Sequence, residues 1–232
     1  MESAPQESNH RIMVALDGSE ASHNAFEQVA DNIYRHGDSL ALAHVYNPSK
    51  GYLPLNMRPE SIRSLYEAEL LARFTKSDHT TMLWEQLPEG NTTKEKVATM
   101  VEEYKADLLA VGFNGRKKAT SDPTVLGSAV IHLALNPVAP ILIVKSLEKR
   151  ANKKDGAFNW MVCIDGSERS LCAVKTAIRF MDIAKDKLHG VSVASGSHGT
   201  KEAAEHFKKM VDEAGVRGEF FHLEKDPVHT VE

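Results

Sequence analysis

Two stretches of the chain repeat each other at a constant spacing. The segment "MVALDGSEASHNA" at 13–25 recurs as "MVCIDGSERSLCA" at 161–173, an offset of 148 residues. The same offset aligns "SLALAHVY" at 39–46 with "KLHGVSVA" at 187–194 without a gap. A repeat of this length is of domain size and is too long for a solenoid unit. The sequence therefore predicts two related folding units.

Short apolar runs alternate with helix-periodic segments through the first copy. Five runs predict strands: "RIMVAL", "LALAHVY", "TMLWEQL", "DLLAVG" and "PILIVK". Between them, apolar residues spaced by three and four positions predict four helices, over about 19–35, 61–76, 92–104 and 127–135. Because parallel strands need crossover connections, this alternation predicts an α/β fold in which helices cover both faces of a parallel sheet.

The second copy contains only the first part of this pattern. It offers three predicted strands, "NWMVCI", "LHGVSVA" and "EFFHLE", and two predicted helices, at about 170–184 and 200–214. We therefore expect a flexible tail, a complete domain, a charged linker and an incomplete second domain, at 1–10, 11–145, 146–158 and 159–232. "NWMVCI" would be an exposed apolar edge, which soluble proteins usually cover. Either the chain is a fragment of a longer tandem protein, or the first unit, another chain or a rearranged terminus shields that edge.

The glycine loop, which is the segment "GFNGRKKATSDPTVLGS" at 112–128, joins the fourth predicted strand to the fourth predicted helix. Ligands of open parallel sheets bind at the carboxyl ends of strands, where the strand order reverses. Glycine lets the backbone approach an anion closely, and the start of a helix adds free amides with partial positive charge. The positions that would form such a phosphate cradle are Gly112, Gly115, Gly127, Ser128 and Ala129.

Charge in the same segment supports a cradle without excluding an ordinary loop. Three consecutive cations, Arg116, Lys117 and Lys118, outnumber the single carboxylate of Asp122. Two glycines after a strand are also typical of a tight turn, and three cations are typical of a solvated tip. The segment is not a P-loop, because no Gly-Lys-Ser/Thr ends it. The residues alone leave a phosphate site and a surface loop as alternatives.

The motif "DGSE" at 17–20 follows the first predicted strand. As a binding residue, Asp17 would face the ligand at the end of this strand. As structure, Gly18 would make the turn into the helix, and Ser19 or Asp17 would cap it. The second copy keeps "DGSE" without the glycine loop, which favours the structural interpretation and makes Asp17 a secondary candidate. His44 is more typical of a strand-end histidine satisfied by hydrogen bonds than of a ligand or base.

Composition excludes several classes of function. A formal net charge of -4, with a sequence pI near 6.3, provides no basic field for nucleic acid. No apolar run approaches the roughly 20 residues of a membrane span, and the start "MESAPQESNH" lacks the features of a secretory signal, so we expect a cytoplasmic protein. Cys163 and Cys172 match no metal-binding spacing, and the histidines are scattered. We expect no metal site and no catalytic residues.

Motifs across 11–145 together resemble the universal stress protein family. They are "MVALDGSEAS", the "HV" that closes the second strand, "DLLAVGFNG", "LGSAV" and "NPVAPILIVK", in that order. The resemblance implies a doubly wound five-stranded parallel sheet of order 3-2-1-4-5 that binds ATP, with or without Mg, at its carboxyl edge. It also implies a homodimer formed through the fifth strand, or intramolecular pairing of the two copies.

The resemblance assigns roles to particular positions. Ala15 and Asp17 would lie near the adenosine, and the backbone of Val45 would hold the adenine. The residues implied around ribose and phosphates are Gly112, Gly115, Gly127, Ser128 and Ala129, and the positive charge of Arg116 would stand beside them. Nucleotide-binding members carry Gly-x2-Gly-x9-Gly-Ser/Thr, whereas eleven residues separate Gly115 from Gly127 here. Asn114 stands where many members have histidine, and Asp122 would either approach a magnesium ion or turn outward.

Three functions are consistent with these features. The first is an ATP-binding regulatory module in stress response or signalling, with hydrolysis slow or absent because no general base is evident. The second is an interaction scaffold of the same fold that binds no nucleotide and pairs through "PILIVK". The third, an enzyme acting on adenine nucleotides, receives the least support from the residues.

Overall fold

The computed structural model describes residues 9–50, 53–75, 78–116, 125–194 and 197–224. The chain divides into two units, Met1–Glu148 and Lys149–Glu232. The expected flexible tail at 1–10 lies outside the described residues, except for Asn9 and His10.

The first unit contains a five-stranded parallel sheet. Its strands are β1 (Arg11–Leu16), β2 (Ser39–Tyr46), β3 (His79–Gln86), β4 (Leu108–Gly112) and β5 (Ile141–Val144). They lie in the order β3-β2-β1-β4-β5, and every neighbouring pair is parallel. The predicted α/β class, the doubly wound sheet and its strand order are confirmed.

Four helices accompany this sheet, and their ends follow from local chemistry. They are α1 (Glu20–Gln28), α2 (Pro59–Arg73), α3 (Thr93–Tyr104) and α4 (Ser128–Leu135). The predicted first helix is interrupted, because a wider π-type turn at Val29–Ile33 follows α1. The second helix begins earlier than predicted, since Pro59 suits the first helical position, where no amide hydrogen is needed. Thr92 and Glu95 form the predicted capping box of α3.

One face of the first sheet is covered by α3 and α4. Alternate strand residues form this face: Met13, Ala41, Ala43 and Val45. They pack in one apolar cluster with residues of the two helices: Val97, Met100, Val101, Val130 and Leu133. Met13 is fully buried and Val45 is 5% exposed, so these helices exclude water from the face.

The second unit contains a three-stranded parallel sheet with two helices. The strands β6 (Asn159–Cys163), β7 (Lys187–Ala194) and β8 (Arg217–Glu224) lie in the order β6-β7-β8. The helices are α5 (Glu168–Phe180) and α6 (Ser197–Ala214). A core unites the sheet with both helices: Val162, Ile164, Leu188, Val174, Ala177, Phe207 and Val211. This order is that of the first three strands of the other unit.

A buried carboxylate precedes the second strand of each unit. Asp38 accepts hydrogen bonds from the amides of His10 and Arg35. Asp186, 148 positions later, accepts from the Arg150 guanidinium, from two further amides and from the Trp160 indole. Burial alone would raise the pKa of Asp186, but these donors, Arg150 first, outweigh it and lower the pKa. Both carboxylates therefore accept hydrogen bonds from neighbouring segments of their own unit.

None of the helices in the described ranges has both the length and the apolar character that crossing a bilayer requires.

Candidate functional site

The carboxyl ends of β1 and β4 lie side by side in the centre of the first sheet. The two strands pair directly, and the chain order of the strands reverses between them. The "DGSE" turn follows β1, and the glycine loop follows β4. This is the topological switch point at which open parallel sheets bind ligands.

Asp17 links these two turns with a single carboxylate. Its Oδ1 accepts hydrogen bonds from the amide and the hydroxyl of Ser19, at 3.0 and 2.5 Å. Its Oδ2 accepts a hydrogen bond of 2.8 Å from the amide of Arg116, which lies 99 residues further along the chain. The Ser19 hydroxyl also accepts from the Ser22 amide and caps α1. Asp17 therefore fixes the start of the glycine loop as well as the helix turn.

We expect Asp17→Asn to release the start of the glycine loop. An asparagine would turn an amide donor or a neutral oxygen toward the Arg116 amide in place of a carboxylate, and bonds to charged acceptors are the stronger ones. Hydrogen exchange at the Arg116 amide should accelerate by about tenfold or more. Asp165→Asn is the matched control, because Asp165 makes the same bond to Ser167 in the second unit. An unchanged Arg116 amide in Asp17→Asn would contradict this role.

Gly112 and Gly115 are required by different neighbours. A Cβ on Gly112 would lie 2.4 Å from the carbonyl carbon and oxygen of Ala21, so the backbone of α1 occupies that space. A Cβ on Gly115 would lie 2.8 Å from Oδ2 of Asp17. Gly112 thus permits close packing of strand and helix, and Gly115 permits the bond between Asp17 and the loop.

The start of α4, like that of α2, has no side-chain cap from its N-cap residue. Ser19 caps α1, Thr92 caps α3 and Ser167 caps α5. Gly127 holds the same position in α4, with φ -61° and ψ 143°, and has no side chain with which to cap the following amides. Its carbonyl accepts the first helical bond from Ile131, so the amides of residues 128–130 precede the helical ladder. They offer donors to an external anion.

The space beside Gly127 is bounded by the other end of the loop. The amide of Gly127 donates to the carbonyl of Phe113 at 3.1 Å. A Cβ on Gly127 would lie 3.5 Å from Cα of Asn114 and 3.6 Å from the amide nitrogen of Gly115, which are ordinary contacts. The structure therefore brings Gly115 and the start of α4 together, as the sequence predicts for a cradle.

Arg116 contributes its backbone to Asp17, and its side chain reaches elsewhere. Its Nη1 donates a hydrogen bond of 3.3 Å to the carbonyl of Met57. The remaining loop residues considered in the sequence, Lys117, Lys118 and Asp122, lie outside the described residues. Ala15 is half-buried in β1, and Val45 is buried near the end of β2.

Two buried acceptors in this region have no hydrogen-bond partner in the described part of the chain. His44 is fully buried, and its Nδ1 donates to the carbonyl of Leu16 at 2.8 Å. Burial lowers the pKa of His44 against this hydrogen bond, so the ring is neutral and Nε2 is an unpartnered acceptor. The second is Oδ1 of Asn114. The hydrogen-bond satisfaction expected for His44 thus holds for one ring nitrogen only.

The described residues contain no cluster of three or more His, Cys, Asp or Glu side chains that could hold a metal ion. A divalent cation at this site would have to rely on ligand oxygens and water, as Mg²⁺ bound with nucleotides commonly does.

Comparison with known proteins adds a family and a fold. A model of the universal stress protein family matches residues 8–145. A universal stress protein from Archaeoglobus fulgidus DSM 4304 aligns with a TM-score of 0.61 at 15% identity, over 95% of this chain and 78% of its own. A universal stress protein family member from Arabidopsis thaliana, solved with AMP bound, aligns with a TM-score of 0.42 at 14% identity, over 58% of this chain and 90% of its own. No curated protein matches the chain.

Proposed function

Because the chain belongs to the universal stress protein family, we propose that its first unit is a stress-response module that binds an adenine nucleotide. The site is the carboxyl edge of the first sheet, between the "DGSE" turn and the start of α4. ATP is the expected ligand. The module acts through binding, and any hydrolysis is slow.

The uncapped start of α4 is the observation that carries this proposal. Helix starts in proteins are normally satisfied by a side chain, by water or by a ligand. α1, α3 and α5 use a side chain and α2 begins at a proline without a side-chain cap, whereas α4 begins at a glycine beside a loop with another glycine. The three amides that precede the helical ladder of α4 and the partial positive charge of the helix end suit a phosphate group.

Each proposed contact follows from the position of its residue. The amides that follow Gly127 take the phosphates, including those of Ser128 and Ala129, and Gly115 leaves the space open. Ala15 and Asp17 lie toward the adenosine, and the backbone of Val45 takes the adenine. Gly112 supports this site indirectly, since the Ala21 backbone fills the space beside it. The Arg116 guanidinium bonds to the Met57 carbonyl in this structure, and it would turn from there toward the phosphates to add positive charge.

Binding without rapid turnover fits the chemistry of the described residues. Attack on a γ-phosphate requires a positioned base or water and, in most enzymes, metal-binding carboxylates. Asp17 is engaged by Ser19 and Arg116, and the described residues hold no carboxylate cluster for a metal. The site therefore offers affinity for the nucleotide and little assistance to hydrolysis.

Isothermal titration calorimetry tests the proposal directly. ATP should bind with micromolar affinity, a binding free energy of about -8 kcal/mol. AMP, the ligand of the Arabidopsis structure, is the second compound to titrate, and GTP is the control for recognition of the base. Absence of binding heat at several temperatures with ATP, ADP and AMP would contradict the proposal and favour the interaction scaffold.

A further inference from the structure

The connector, residues 146–158, lies between β5 of the first unit and β6 of the second. Its charged sequence, "SLEKRANKKDGAF", is typical of a solvated linker without fixed contacts. In the structure, however, side chains of the folded units bond to both halves of the connector. The first half is bonded to the first unit, and the second half is bonded to the second unit.

The first half of the connector is held by the turn that ends α1. The carbonyl of Glu148 accepts a hydrogen bond of 2.9 Å from Nδ2 of Asn32, and its amide donates one of 3.0 Å to Oε1 of Gln28. Asn32 is only 8% exposed and belongs to the π-type turn at Val29–Ile33. Turns of this type are rare and frequently occur at functional sites. Both backbone polar groups of Glu148 are thus bonded within the first unit.

The second half of the connector is held by the buried carboxylate of Asp186. The Arg150 guanidinium donates to both of its oxygens, at 2.5 and 3.0 Å. It also donates to the carbonyl of Gly156 at 3.0 Å and lies 4.4 Å from the centre of the Phe158 ring. The side chain of Asp186 is 0% exposed, so loss of this bidentate pair would leave a buried charge without its partner. Arg150 is therefore firmly bonded within the second unit.

Lys149 stands between these two anchored residues. The carbonyl of Glu148 is held by Asn32, so the peptide group before Lys149 belongs to the first unit. The carbonyl of Lys149 accepts a hydrogen bond of 3.0 Å from the amide of Asn152, so the next peptide group belongs to the second unit. Because peptide groups are planar, only φ and ψ of Lys149 separate the two. They are -105° and 130°, in the broad extended region where rotation meets few clashes.

We propose that Lys149 is a single-residue hinge and that each half of the connector moves with the unit to which it is bonded. Hinges in proteins are a few residues that absorb changes of φ and ψ between rigid bodies. Any change in the orientation of the two units is then produced by rotation about two bonds rather than by a free linker. The proposal concerns the connector and is independent of nucleotide binding.

Amide order parameters of the connector in the full chain test the proposal. Rigid backbone has values of about 0.85, and flexible backbone has values below about 0.6. We expect Glu148 and Arg150 to have values near about 0.85, as residues within β5 and β6 should. A value below about 0.6 at either residue would show that this half of the connector is a free linker and would overturn the proposal.

Insertion of two glycines between Glu148 and Lys149 tests whether the hinge limits the motion. The order parameters of Glu148 and Arg150 should not change, because each half is held by its own unit. The rotational correlation times of the two units, measured on amides of β1 and β7, should both shorten, because the insertion loosens their connection. Loss of order at either residue, or unchanged correlation times, would contradict a hinge at Lys149.

Asn32→Asp tests the anchor on the first unit. The substitution replaces the donor to the Glu148 carbonyl with a carboxylate of similar size, so the bond is lost. The order parameter of Glu148 should fall below about 0.6, and that of Arg150 should not change. Asn136→Asp is the matched control, because Nδ2 of Asn136 also donates to a carbonyl, that of His132, and this variant should leave Glu148 rigid. A rigid Glu148 in Asn32→Asp would overturn the assignment of Asn32 as the anchor.

Discussion

Replacing Gly127 with aspartate is expected to abolish nucleotide binding while leaving the first unit slightly more stable. The backbone at Gly127 has the extended conformation of a helix N-cap, and aspartate is among the preferred residues there. Its carboxylate would accept hydrogen bonds from the backbone amides in the first turn of α4. The same carboxylate would occupy the phosphate position and repel a nucleotide, so affinity should fall by at least about 100-fold, or about 2.7 kcal/mol.

Calorimetric titration with ATP and unfolding of the nucleotide-free protein measure the two effects separately. Stability should rise by only a few tenths of a kcal/mol, the usual gain of an aspartate cap over glycine. Gly127→Ala is the matched control, because its Cβ makes ordinary contacts and provides no oxygen to the amides. It should keep affinity within about tenfold. Normal ATP binding by Gly127→Asp would show that the free amides of α4 do not hold the phosphates.

A large loss of stability is expected for Gly112→Ala, which should unfold or severely loosen the first unit. The new Cβ would lie 2.4 Å from the carbonyl of Ala21 and 2.7 Å from the amide nitrogen of Ser22. Backbone atoms at the start of α1 cannot rotate away as a side chain can, so strand and helix must separate. We expect a loss of at least about 3 kcal/mol, at the upper end of the range for overpacking.

Hydrogen exchange in β1 and β4 measures this loss within the first unit. Protection of these central strands should fall by two orders of magnitude or more, as a loss of about 3 kcal/mol implies. The amides of β6 and β7 serve as an internal control, because they belong to the second unit. Unchanged protection of β1 and β4 in Gly112→Ala would show that α1 can shift at little cost.

The fold could be predicted because its signals are regular and local. Apolar strands of "RIMVAL" type and helices with three-and-four spacing determine the alternation, and the crossover requirement then makes the sheet parallel. Helix ends were harder to predict, since Pro59 and the π-type turn at Val29–Ile33 depend on details that periodicity does not register. The buried carboxylates Asp38 and Asp186 were not identified from the sequence, although they occupy equivalent positions of the two copies, 148 residues apart.

The position of the candidate site could be predicted from the sequence, but the separate roles of its residues could not. Three glycines in one motif suggest one role, yet Gly112 faces the backbone of α1, Gly115 faces Asp17 and Gly127 faces the loop. The bond from the Arg116 amide to Asp17 spans 99 residues and leaves no local pattern. The free acceptors on His44 and Asn114 are likewise visible only once the chain is folded.

Amide chemical shifts of the first turn of α4 test the central claim most directly. The spectrum of the full chain would be followed during separate titrations with adenosine and with ATP. If the free amides hold the phosphates, those of Ser128, Ala129 and Val130 shift strongly with ATP and weakly with adenosine. If ATP binds and these three amides do not move, or adenosine moves them equally, the phosphates lie elsewhere and the proposed site is wrong.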